Sequence, residues 1–266
     1  MARWGLNGFA AVALFYLFMP ILWIVIYSFN KPVGKFNFIW QEFTLDNWGD
    51  PFKDEALTDA LWESLKIAGI STLIATVLGT MIAIALARYK FAGVGLLAFM
   101  LVLPLTTPEI VIGSSLATLF LGQDVDRGFR TVIIAHVMFQ VSFVALTVRA
   151  RARGFDFGLE QAAQDLGASP MRTFWKITFP LLKPAHFFVA VVSIVGAMKM
   201  FDQAYIASGG SGGPNYSTET VVLYLYQTAI KDVNFGYAAA IGTALFVLIF
   251  ALTLIQRFLF GKAETA

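Results

Sequence analysis

The chain has 266 residues, of which 58% are hydrophobic and only 14% charged, with a mean hydropathy of +0.72. That composition excludes an ordinary soluble domain and describes an all-α, polytopic membrane protein. Cysteine is absent, which excludes disulfides, thiolate metal sites and cysteine nucleophiles, and the net charge of +2 is scattered along segment edges instead of forming a nucleic-acid stripe.

The first apolar run, Phe9–Phe29, follows Arg3 and exceeds the core of a secretory signal, and Lys31-Pro32 offers no cleavage site, so a retained helix is expected over 9–29. The acidic, aromatic stretch Asn30–Glu63, interrupted by Pro32 and Pro51, reads as an external segment whose Trp40, Trp48 and Trp62 suit an interfacial belt. Ile67–Ala87 predicts a second span over 64–87, free of Asp, Glu, Lys and Arg. Phe91–Gly122 predicts a third over 93–121; it carries Glu109 just after Pro104 and Pro108, which allow a kink. Thr131–Val148 predicts a fourth over 131–149, followed by a polar, basic loop over 150–183. Ala185–Ala207 predicts a fifth over 184–206 if it tolerates Lys199 and Asp202, which would pair on one helix face at i, i+3. The glycine-rich loop 208–214 and a last span over 235–257 complete six helices. With both termini inside, the cytoplasmic segments hold eleven of the nineteen basic residues, while most acids collect on the other side.

Within the basic loop, Leu159, Ala162, Ala163 and Leu166 share a narrow helical face. Gly167 supplies a stop, Ser169 a cap and Pro170 a first-turn residue, after which Met171, Phe174 and Trp175 form a second apolar face opposite Arg172 and Lys176. By periodicity alone such a loop could also lie on the lipid surface. Its spacing closely resembles the EAA loop of ATP-binding cassette (ABC) importer permeases: Gln161-Ala162-Ala163, Gly167, Ile177 and Pro180 fall at the family's positions, with Gln161 where Glu is usual, Glu160 one place earlier, and Phe179 in place of Leu. The resemblance implies a coupling helix seated in a cleft of an ATPase subunit, with Glu160, Gln161, Ala162, Ala163, Asp165, Gly167, Ala168 and Arg172 as the coupling residues.

From the first helix to about Ala185 the chain resembles spermidine/putrescine permeases, through Pro20–Asn30, Ala87-Arg-Tyr-Lys-Phe91, Pro108-Glu-Ile-Val111 and Arg153-Gly-Phe-Asp156. From about Met200, Phe-Asp-Gln-Ala-Tyr, the Gly-Gly-Pro loop, Tyr224-Leu-Tyr-Gln and Phe235-Gly-Tyr-Ala-Ala-Ala240 look more like carbohydrate-importer permeases. Both resemblances imply a type I ABC importer permease in the bacterial inner membrane. It would work with a second, different permease chain, two cytoplasmic ATPase subunits that hold the ATP and Mg, and an external solute-binding protein. The chain itself would be non-catalytic, bind no cofactor, metal or nucleic acid, and carry a polyamine; a sugar or glycerophosphodiester is the alternative cargo, and an ion-coupled secondary transporter or a membrane scaffold the alternative class.

No Gly-x-x-x-x-Gly-Lys-Ser/Thr occurs, and neither His136 nor His186 has a second ligand at metal spacing. A polyamine route needs carboxylates and aromatic faces, which makes Glu109 the first candidate; its alternative roles are a neighbouring-helix pair or the cap of a broken helix. Asp202 reads first as the ion-pair partner of Lys199 and second as a cargo contact, and a sugar would find Gln203, Tyr205, Gln140 and Ser142.

Overall fold

The computed structural model describes residues 2–31, 39–49, 54–213 and 216–260. Pro32, Pro51 and Pro214, which enter the loop arguments above, lie outside them. Among the described residues the chain is all helical apart from one isolated bridge, Asn30 to Phe43. Five helices are long and apolar enough to cross a membrane, and a bent pair makes a sixth if counted as one span.

Helix α1 (Ala2–Tyr27) packs on the last helix, and most of its apolar side chains are exposed among the described residues. The segment after it folds back: Lys31 donates its N–H to Glu42 O (2.9 Å) and Thr44 to Phe29 O (2.8 Å). Phe29 stacks between Phe43 and Trp48, and the Trp48 indole N–H donates to Ser28 Oγ (3.1 Å), so Trp48 is engaged internally and is not a free belt residue. Asn47 donates to the carbonyls of Ser28 and Asn30. A Cβ at Gly236 would lie 2.6 Å from Asn30 O, so only glycine lets the last helix start this close.

Helix α2 (Glu55–Arg88) begins well before the expected residue 64, because Asp54 caps it by accepting Leu57 N–H (3.1 Å). Its 34 residues span about 51 Å, more than the ~30 Å apolar layer requires. The expected 93–121 span is instead two helices, α3 (Val94–Thr106) and α4 (Glu109–Gly122), bent by 106°. Pro108 lacks the N–H that would continue α3 and pushes Thr107 into extended backbone, whereas Pro104 stays inside the helix.

Helix α5 (Phe129–Ala152) is the central partner of α2. They cross where a Cβ on Gly79 would stand 2.7 Å from Val144 Cβ, and Ala75, Ala83, Val144, Val148, Leu182, Ala185 and Val189 fill the core beside it. Small residues let these backbones approach, as apolar helices in lipid require. After two short helices, α6 (Gly158–Asp165) and α7 (Pro170–Thr173), a wide π turn (Phe174–Thr178) leads into α8 (Phe179–Met198).

The expected helix over 184–206 does not run through. It stops at Met198, and a separate helix α9 (Asp202–Ser208) starts after three intervening residues. Thr220 Oγ1 donates to the Met200 carbonyl (2.9 Å) and holds this break from outside. Lys199 and Asp202 therefore leave the common helical face on which they would pair, and no ion pair joins them among the described residues. Helix α10 (Val221–Tyr226), a second π turn (Gln227–Lys231) and helix α11 (Phe235–Phe260) complete the chain.

Candidate functional site

Three constellations carry chemistry, and the first is the corner between α5 and α8. Gly158 N–H donates to Asp156 Oδ1 (2.8 Å) and opens α6. Gly167 closes it with a left-handed φ of +88°, a conformation that favours glycine, while Ala168 N–H returns to Ala163 O (3.0 Å). Ser169 Oγ accepts Arg172 N–H (3.3 Å), and Pro170 occupies the first turn of α7. Leu159, Leu166, Met171 and Trp175 project outward, Leu166 with 90% of its surface exposed. Gln161, Ala162, Asp165 and Arg172 are exposed with them, and Ala163 and Ala168 are half-buried.

Glu160 departs from the expected coupling face. It is buried, pairs with the Arg88 guanidinium at the end of α2, and accepts the Thr178 hydroxyl at the end of the π turn. Arg88 also lies over the Phe157 ring, 5.7 Å from its centroid. The carboxylate thus faces the bundle, away from any docking surface.

The second constellation is a cavity of about 480 Å³ lined by Glu109, His136, Phe139, Gln140, Phe143, Ser193, Lys199, Met200 and Gln203. The i, i+4 spacing of His136 and Gln140 on α5 sets both on one wall, where Gln140 Nε2 lies 2.9 Å from His136 Nε2 and donates to Ser193 O (3.0 Å). Gln140 Oε1, Gln203 Oε1, Ser193 Oγ and His136 Nδ1 are buried without a hydrogen-bond partner among the described residues. Among the candidates from the sequence, Glu109, Gln203 and Gln140 come together here. Tyr205 does not: it packs against Phe201 (5.3 Å) and edge-on to Tyr226 (5.6 Å). Asp202 and Ser142 also lie outside the lining. His136, which has no second ligand at metal spacing in the sequence, and Lys199, read from sequence as half of an ion pair, are cavity walls.

The third lies at the opposite end of α2 from the corner. Asp54 accepts the hydroxyls of Tyr224 (2.6 Å) and Tyr237 (2.8 Å), joining α2, α10 and α11. Burial pushes its carboxyl up, but these two hydrogen bonds and the N–H of Leu57 outweigh that and hold it below the usual range. Glu219 sits nearby with 1% of its surface exposed and both carboxylate oxygens without a hydrogen-bond partner among the described residues. Burial pushes it up to about 7, Lys231 pulls it back in part, and Asp54 adds to the rise. The glycine loop closes over it: a Cβ on Gly212 would stand 3.1 Å from Glu219 Oε2, and Lys231 Nζ donates to Gly210 O (2.6 Å). The polar run Ser-Thr-Glu-Thr around Glu219 gives no sign of this burial. Among the described residues no three His, Asp or Glu side chains gather as metal ligands.

Residues 75–264 match the family described as binding-protein-dependent transport system inner membrane component. The chain is 38% identical over 177 residues to the putrescine transport system permease protein PotI of Escherichia coli K12, an alignment covering 64% of this chain and 62% of that relative. It is 32% identical to the spermidine/putrescine transport system permease protein PotC of Haemophilus influenzae over 266 residues, covering 98% and 99% of the two chains. This second alignment runs through the last third of the chain as well. In fold, the chain is similar to a chain of the bacterial alginate ABC transporter crystallised with its alginate-bound periplasmic protein, with a TM-score of 0.74 at 15% identity over 97% of this chain and 94% of that one. With nearly three quarters of its length matched and a relative aligned end to end, the chain belongs to the binding-protein-dependent inner membrane components, the permease subunits of ABC importers.

Proposed function

We propose that this permease carries polyamines of the spermidine and putrescine class. The observation that carries this reading is the cavity whose lining brings Glu109, Gln140 and Gln203 together with Phe139 and Phe143, the side-chain oxygens of the two glutamines being buried and without a hydrogen-bond partner among the described residues. A polycation leaving water needs carboxylate, carbonyl and aromatic-face partners. Lys199 shares the lining and balances Glu109 when no cargo is present; a cargo ammonium takes over that role. The names of PotI and PotC support the same class.

In this reading the chain pairs with a second, different permease, two cytoplasmic ATP-binding cassette subunits and an external binding protein. Both termini are cytoplasmic. ATP and Mg belong to the ATPase subunits, and this chain catalyses no bond chemistry. The exposed Leu159, Leu166, Met171 and Trp175, together with Gln161, Ala162, Asp165 and Arg172, enter an ATPase cleft, and ATP-driven closure of the ATPases switches the path between inward and outward facing by rigid-body movement.

The test is the reconstituted complex in nanodiscs, with ATPase rates measured against binding proteins loaded with spermidine or with a disaccharide. Stimulation by the spermidine-loaded protein, lost in Glu109→Gln, is the expected result. Stimulation by the sugar-loaded protein alone overturns the polyamine assignment and turns the amides of Gln140 and Gln203 into sugar contacts.

A further inference from the structure

Glu160 lies in the middle of the segment that docks the ATPase in the reading above, yet its carboxylate points the other way. We propose that Glu160 is a positioning residue: with Arg88 and Thr178 it forms a joint that makes the corner and the ends of α2 and α8 move as one body.

Each member of the joint belongs to a different element. Arg88 is the last residue of α2, Glu160 lies in α6, and Thr178 ends the π turn that feeds α8. Glu160 Oε1 takes both the Arg88 guanidinium and the Thr178 hydroxyl, and Arg88 Nη2 also reaches Thr178 Oγ1 (3.4 Å), so the three close a triangle. The arginine is held further by the Phe157 ring just before α6. A charge-assisted hydrogen bond in a shielded place has a defined geometry and resists sliding, unlike the apolar contacts around it. The far end of α2 carries the Asp54 link to α10 and α11, so one continuous helix connects the joint to the other end of the bundle.

This inference rests on the coupling reading of the corner, and the experiment separates the two. The complex is purified with Glu160→Gln, with Arg88→Glu, and with the swapped pair Arg88→Glu/Glu160→Arg; Leu166→Asp and Trp175→Asp serve as probes of the exposed face. Co-purification of the ATPase reports docking, and cargo taken up per ATP hydrolysed in proteoliposomes reports transmission. Glu160→Gln is expected to keep the ATPase bound while uptake per ATP falls roughly tenfold, a factor within the usual range of coupling between sites. The swapped pair is expected to recover most of that loss, which a merely space-filling role would not give. Unchanged uptake per ATP in Glu160→Gln and Arg88→Glu overturns the joint and leaves the coupling reading standing, provided that Leu166→Asp and Trp175→Asp release the ATPase. If those two bind and transport normally, the coupling reading fails and the joint with it. Should Glu160→Gln not insert, Thr178→Val, which removes two sides of the triangle and keeps the ion pair, is read by the same ratio, and an unchanged value there counts against the joint.

Discussion

Asp54 offers the sharpest test of how the end of the bundle opposite the corner is held. Its carboxylate accepts two tyrosine hydroxyls and one backbone N–H, at 2.6, 2.8 and 3.1 Å. A hydrogen bond to a charged group contributes about 1.5–3 kcal/mol and an N-cap about 1 kcal/mol. Tyr224 and Tyr237 are half-buried, so water recovers part of each lost bond and the lower values apply. Asp54→Ala is therefore expected to cost about 3–4 kcal/mol of unfolding free energy in mixed micelles, and Tyr237→Phe about 1.5 kcal/mol. In a double-mutant cycle, Tyr237→Phe made in the Asp54→Ala background should cost at least about 1 kcal/mol less than in the parent. The pH dependence has a fixed sign. Because the folded carboxyl is held below its ordinary value of 3.8, its stabilisation is present above that value and is lost as pH falls through the depressed one. A coupling below about 0.5 kcal/mol, within ordinary additivity, would refute the claim that the tyrosines act through Asp54.

Glu219 gives the opposite pH dependence. Its folded carboxyl titrates at about 7 against an ordinary 4.5, so its contribution is full below 4.5 and disappears as pH rises through 7, up to about 3 kcal/mol in all. Glu219→Gln should therefore be more stable than the parent at pH 8 and lose that advantage towards pH 5; parallel unfolding curves for the two proteins across this range would contradict it. At the α2–α5 crossing, Gly79→Ala places a methyl 2.7 Å from Val144 Cβ and Cγ1, well inside the ~3.5–4.0 Å of an ordinary contact. It should lower stability by about 1–3 kcal/mol and be relieved by Val144→Ala, as read by thermal unfolding in detergent; a neutral Gly79→Ala would mean that the helices can part freely there.

How far each feature could be read in the sequence depends on where its cause lies. The charge-free middles of the spans were legible because a run of about 20 apolar residues has few other uses. Gly167, Ser169 and Pro170 were legible because a left-handed stop, a side-chain cap and a fixed φ act within a few residues. The break after Met198 was not, because no local breaker marks it: Thr220, twenty residues on, takes the Met200 carbonyl. Glu160 was misplaced for the same reason, since helical periodicity gives the faces of α6 but Arg88, seventy-two residues away, decides which side the carboxylate takes. Both ends of α2 follow one logic. A helix of 34 residues overruns the apolar layer, so its termini reach regions where ionised groups keep some water, and there a carboxylate fixes each end: Glu160 through Arg88, Asp54 through Tyr224 and Tyr237. Between them the core contacts are mostly apolar, which specify distance well but carry little directional information, the exceptions being Ser64 Oγ, which accepts Val221 N–H, and Thr80 Oγ1, which meets His186 Nε2. Orientation at the two ends is thus set by few, polar, long-range bonds. A shift imposed at the corner is expected to reach α10 and α11 along α2 less completely once either carboxylate is removed, the Val221 N–H to Ser64 Oγ bond remaining as a further link, so the Glu160 and Asp54 substitutions should change how the helices move together.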